Sequence, residues 1–259
     1  MRYNYARILA FLISFFSVTT VLAQKNIVLT EDLAKNSEEW KVKMGTQMPG
    51  KLFKMHFSDY SVISSKTGWT TTTTHGNLFN TETESKTKQK FSFRFAGKST
   101  DTANVNAAVN ISTSVIRALP MFPIVDWIID SENARSLFAT IVINQDTASI
   151  WAMYLQITSK AGQPMQSNGV LYSAGRRINF SPINSNRHGT DTRSMPAEGY
   201  EFTENDRAVG AVQYYGGGLM GMNKNIVWIH NSLDAKTKLT IASAMTAILE
   251  SIYTNIPTE

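Results

Sequence analysis

Residues 226–256 read IVWIHNSLDAKTKLTIASAMTAILESIYTNI, and the way this stretch must be housed decides the fold. Ile226, Val227, Trp228 and Ile229 are all apolar, the pattern of a short strand covered on both faces. Asn231, Ser232 and Asp234 then offer three helix N-caps, each able to accept a bond from a free first-turn N–H. Asp234 is the best placed, because Ala235, Lys236, Thr237 and Lys238 continue a helix without a breaker. The apolar residues that follow are Leu239, Ile241, Ala242, Ala244, Met245, Ala247, Ile248, Leu249 and Ile252. At about 100° per residue they surround the helix instead of forming one stripe. Thr240, Ser243 and Thr246 between them are small, and no charge occurs from Leu239 to Leu249. That uncharged run is shorter than the roughly 20 residues a membrane span needs. The spacing predicts a buried core helix over 234–253, with Pro257 beyond its end.

Working back from this helix, the chain supplies mostly strands to enclose it. Residues 90–95 (KFSFRF) alternate, placing Phe91, Phe93 and Phe95 on one face. Residues 69–75 (WTTTTTH) favour a strand because β-branched side chains suit the pleat, and Gly76-Asn77 is a turn pair. Segments 137–144 (LFATIVIN) and 150–158 (IWAMYLQIT) flank Gln145-Asp146-Thr147 as a hairpin. Further strands are expected at 51–57 and 60–64, at 169–172 with 177–180, and at 198–202 with 209–215. Residues 30–40 (TEDLAKNSEEW) read as a short helix after a Thr30 cap. Residues 104–119 (NVNAAVNISTSVIRAL) read as partly helical, and 182–196 as a long polar loop. There is no internal repeat, low-complexity tract or linker, so residues 24–259 are read as one domain. The expected class is mainly β (α+β), an antiparallel barrel-like domain around a buried C-terminal helix. A β-sandwich with the helix across one open face is the alternative.

Trp228-Ile229, Leu233-Asp234 and the run from Leu239 to Leu249 together resemble the tubby-like barrel group, which includes the phospholipid scramblases and LURP-one-like proteins. Gly76-Asn77-Leu78-Phe79 before Phe91 adds an echo of an early hairpin. The resemblance implies a closed antiparallel barrel threaded by its hydrophobic C-terminal helix. It transfers no functional residue. Familiar members of that group work inside cells, and here the N-terminus departs from them.

That N-terminus has Arg2 and Arg7 ahead of an apolar run over 8–22, and Val21 and Ala23 fit the small positions before a cleavage site. Residues 1–23 are therefore expected to be a cleaved signal peptide, leaving no transmembrane helix in the mature chain and placing it in the periplasm or outside the cell. With no cysteine in the sequence, neither a disulfide framework nor a lipid-modified cysteine holds it. The net charge of +5 includes Arg2 and Arg7, leaving +3 for the remainder. This mild surplus, without a basic run, argues against nucleic acid as a partner and suits weak attraction to anionic lipid or polysaccharide.

Catalytic signatures are absent: the sequence has no HExxH, P-loop, GxSxG, EF-hand loop or cysteine nucleophile. His56, His75, His188 and His230 show no ligand-like spacing, so neither a metal nor a cofactor is implied. The densest polar cluster is 184–193 (NSNRHGTDTR), where Arg187 and Arg193 could bind an anion and His188 with Asp191 could form a proton-transfer pair. A solvated loop explains the same residues. Lys86, Lys88 and Lys90 share one strand face and could meet anionic headgroups, or simply protect an edge strand. Arg176 and Arg177 are a further anion candidate, or a hairpin tip. Residues 120–129 (PMFPIVDWII) are strongly apolar, so Phe122, Trp127 and Ile128 either pack on the domain or form an interaction surface. The expected function is that of an exported, non-catalytic binding or envelope-associated protein with a lipid or protein partner. The alternative is a hydrolase using the 184–193 loop.

Overall fold

The computed structural model describes residues 25–45, 53–76, 83–112, 133–159, 166–189, 196–217 and 223–253. Among them, helix α1 (Glu31–Lys35) precedes strands β1 (Trp40–Lys41), β2 (Lys43–Met44), β3 (Met55–Phe57), β4 (Tyr60–Thr67), β5 (Thr71–Gly76), β6 (Thr83–Ala96) and β7 (Thr102–Ser112). Strands β8 (Asn133–Ile143), β9 (Trp151–Ser159), β10 (Gln166–Ser173), β11 (Arg176–Asn184), β12 (Glu198–Glu204), β13 (Arg207–Tyr215) and β14 (Ile226–Ile229) follow, and helix α2 (Ala235–Tyr253) comes last.

All of the described pairings are antiparallel, and the strands form one sheet ordered β1-β14-β13-β12-β11-β10-β9-β8-β7-β6-β4-β3-β2, with β5 added to β6. The two ends of that order, β1 and β2, are consecutive pieces of one extended segment. Trp40 pairs with Val227 while Met44 pairs with Met55, and between them the Val42 N–H donates to the Asn225 carbonyl at 2.9 Å. One short segment thus joins both edges of the sheet and nearly closes it into a barrel, which removes the unpaired edge an open sheet would present.

Helix α2 runs inside this sleeve. No residue from Leu239 to Ser251 is more than 2% exposed, as a helix apolar on all sides requires. Its buried hydroxyls turn back onto the helix: Thr240, Ser243 and Thr246 donate to the carbonyls of Lys236, Leu239 and Ala242 at 2.9, 2.7 and 2.8 Å. Asp234 caps it, accepting the Thr237 N–H at 3.0 Å. Gly210 on β13 lets the sleeve approach closely, since a Cβ there would lie 2.8 Å from Met245 Cε and 2.9 Å from the Trp228 carbonyl oxygen. Phe53, Phe57, Tyr60, Phe91, Phe93 and Phe95 form an aromatic cluster beside it, all with ring-centroid contacts of 5.4–6.4 Å.

Several expectations are corrected. The described part of 104–119 is β7: Ala103, Val105, Ala107 and Val109 are buried, with Asn104, Asn106 and Ala108 between them and Asn110 following. That period of two was obscured by alanines, whose strong intrinsic helix propensity is overridden here by pairing and burial in the sheet. Strand β6 is no edge, being paired with β7 on one side and with β4 and β5 on the other, so its lysines are not edge protection. The 182–196 loop begins later, because Pro182 and Ile183 still pair within β11–β12. Helix α1 is only five residues long, and Thr30 precedes it without a side-chain cap bond. The 120–129 segment with Phe122, Trp127 and Ile128, the proposed signal peptide, and Asp191 and Arg193 lie outside the described residues.

Candidate functional site

The outer surface of the barrel has two contrasting faces. Over β11–β14 the outer surface includes an apolar patch of Ile183, Ala208, Ala211, Ile226 and Trp228, and residues 25–36 lie across it with Ile27 and Leu33 buried. Polar groups fasten this strap. The Ile27 N–H donates to Gln213 Oε1 at 2.9 Å and the Thr30 N–H to Glu201 Oε2 at 2.8 Å. Arg187 reaches Glu201 at 3.1 Å, although Glu201 is only 3% exposed. Asp32 meets Arg207 at 3.0 Å and lies 3.5 Å from buried His230. Hydrogen bonds from Arg207 and Asn36 hold the Asp32 carboxyl below the usual carboxylate value.

Arg187 is therefore committed to holding Glu201, and His188 sits exposed next to it in the same turn. Among the described residues no nucleophile or acid–base partner meets His188; Asp191, the partner named for it, lies outside them. Arg176 and Arg177 do sit at a hairpin tip, after Ala174 and Gly175 at φ 41° and 84°. Arg176 binds Glu204 through two nitrogens at 3.0 and 3.1 Å and lies 5.3 Å from the Trp151 ring centroid, while Arg177 binds Asn179 at 2.8 Å.

The second face, over β4–β7, is bare and basic. Because Phe91, Phe93 and Phe95 point inward, Lys86, Lys88, Lys90 and Arg94 point outward and are exposed. The expected shared face is real. Strand β6 is long enough to pair β4 along one half and β5 along the other. The join between them is Gly68-Trp69-Thr70, pinned where the Gly68 N–H donates to the Lys90 carbonyl at 2.7 Å. Trp69 is 95% exposed at this join. Its neighbours are exposed Lys66 on β4 and, through the Thr71–Lys88 pairing, Lys88 on β6. Strands β4, β5 and β7 contain no acidic residue; Glu84 on β6 shares the lysines' parity, and its side chain lies outside the described residues.

Two cavities open at the barrel ends. Where α2 enters, about 340 Å³ is lined by Glu38, Trp40, Asp59, Tyr60, Lys98 and Lys238 among others. Where α2 ends, about 210 Å³ is lined by Arg135, Glu198, Tyr200 and Tyr214 against Leu137, Leu155, Ile157 and Ile252. Burial lowers the Arg135 pKa and raises those of Tyr200 and Tyr214, with the Glu198 carboxylate pushing Tyr214 further up. Sequence reading passed over Trp69 and Arg135. Arg135 had a legible signal, since it shares the parity of inward-facing Leu137, Ala139 and Ile141. Trp69 had none, because local sequence does not reveal which inter-strand join stays uncovered.

No helix among the described residues is long and apolar enough to cross a membrane, and no cluster of metal-ligating side chains occurs among them. No protein-family model, curated protein or solved structure matches the chain.

Proposed function

We propose that this is an exported, non-catalytic protein that acts at an anionic lipid surface, meeting it with the outer face of β4–β6. The observation that carries this reading is Trp69, 95% exposed and flanked by Lys66, Lys88 and Lys90. An exposed indole is costly in water and well suited to the headgroup level of a bilayer, where its ring and N–H are both accommodated. Cations at that level gain about 1 kcal/mol each from anionic lipid. The filled barrel supports a surface role over a container role, because α2 occupies the interior. The same arrangement, a helix threaded through an antiparallel barrel, supports a tubby-like fold assignment, which an experimental structure superposed on that group would test.

The test is flotation of the protein spanning residues 24–259 with vesicles of phosphatidylcholine alone and of phosphatidylcholine mixed equally with phosphatidylglycerol. Binding is expected only to the anionic vesicles, with a blue shift in tryptophan emission and weakening by salt. Replacing Lys66, Lys88 and Lys90 together by Gln should weaken it by roughly 3 kcal/mol, about a hundredfold. Trp69→Ala should weaken it while leaving the unfolding midpoint in place. Equal binding to neutral vesicles, or full binding by the triple variant, would overturn the reading.

A further inference from the structure

The cavity at the end of α2 has a chemistry that the lipid-surface reading does not use. Arg135 lies on β8 with the parity of inward-facing Leu137 and Ala139 and is partly buried, with one hydrogen bond, donated from Nη2 to the Ser251 carbonyl at the helix C-terminus. That carbonyl end partly compensates the charge, yet a guanidinium has five N–H donors, and no carboxylate among the described residues lies within ion-pair distance of it. Glu198 lines the same cavity from β12. It accepts from the Tyr214 hydroxyl at 3.3 Å, leaving most of its acceptor capacity unused. The Tyr200 hydroxyl is already engaged with Ser167 Oγ at 2.9 Å.

The cavity therefore presents surplus donors with positive charge at Arg135 and surplus acceptors with negative charge at Glu198, and these two do not pair with each other. Leu137, Leu155, Ile157 and Ile252 supply an aliphatic wall. At about 210 Å³ it holds a guest of on the order of ten non-hydrogen atoms. A simple carboxylate would satisfy Arg135 but bring like charge toward Glu198, and a simple amine would do the reverse. We infer that this cavity binds a small zwitterion with an aliphatic side chain, of the class of the apolar α-amino acids, its carboxylate on Arg135 and its ammonium on Glu198. This inference is independent of the lipid-surface reading, since the two sites share no residue.

The experiment is calorimetric titration of the protein spanning residues 24–259 with L-leucine, 4-methylpentanoate, which lacks the ammonium, and 3-methylbutylamine, which lacks the carboxylate. Leucine should bind at least tenfold more tightly than either analogue. Arg135→Gln should abolish leucine binding, and Glu198→Gln should reduce it about tenfold while sparing or improving 4-methylpentanoate. Because Arg135 also meets the helix end, each variant is first matched to the parent by circular dichroism and thermal unfolding; Glu198→Gln leaves that contact intact and carries the test if Arg135→Gln misfolds. Leucine binding that is absent, no tighter than that of 4-methylpentanoate, or indifferent to Glu198→Gln would overturn the inference.

Discussion

The two outer faces of one barrel follow opposite rules. Over β11–β14 the outward positions include the apolar Ile183, Ala208, Ala211, Ile226 and Trp228 beside buried Glu201 and Gln213, and the chain's own strap covers them. Over β4–β7 the outward positions are chiefly lysine, arginine, serine, threonine and asparagine, with Ile63 on β4 52% exposed among them, and among the described residues nothing is laid across them. Burying apolar area stabilises the strap on the first face. No comparable gain exists on the second, where covering the lysines would strip their hydration. An apolar outer face thus reports a contact made within the chain. A basic outer face with one exposed indole is, on the function proposed above, left free for a contact made outside it.

The strongest way to break that contrast is at Leu33, which belongs to the strap and is fully buried against the barrel. Leu33→Ala should lower stability by about 2–5 kcal/mol in urea denaturation; a loss below about 0.5 kcal/mol would mean that the strap is not part of the cooperative fold.

A sharper comparison uses one residue type on both faces. Arg187→Ala leaves buried Glu201 without its cation and should cost about 1–2 kcal/mol, after allowing for the partial exposure of Arg187. Arg94→Ala, on the bare face, should stay within about 0.5 kcal/mol of the parent. Equal losses at the two positions would remove the distinction.

The smallest effect is in pH. The folded chain holds the Asp32 carboxyl below its unfolded value, so on acidification the unfolded chain takes up the proton first. The stabilisation from Asp32 is complete above the unfolded value, near 3.8, and is lost as pH falls through the lower folded one. Asp32→Asn should flatten the acid limb of the stability curve there. An unchanged acid limb would show that the Asp32–Arg207 contact does not fasten the strap.

Much of the architecture was legible because burial imposes a period. The all-round apolar α2, its Asp234 cap, and the alternation of Phe91, Phe93 and Phe95 each point to one local structure and one buried side. Residues 104–112 misled because alanine and asparagine carry little hydrophobic contrast, so their period of two emerged only against the neighbouring strands β6 and β8. The candidate sites were half legible. The parity of Lys86, Lys88 and Lys90 could be read in the chain, whereas Arg187 in a polar loop could not be distinguished from a ligand-binding residue until Glu201 was found beside it.

By itself, the sequence determined that a helix apolar on every side had to be enclosed, and that strands would do the enclosing. Those are local consequences of side-chain period and polarity. Tertiary structure decided how the sleeve closes, with Trp40–Lys41 and Lys43–Met44 handing one segment from edge to edge. It also decided which outer face is covered, and that Arg135 and Glu198, 63 positions apart in the chain, line one cavity without pairing. Such juxtapositions depend on strand order and register, which arise from many weak contacts between distant segments and leave no mark on any one of them.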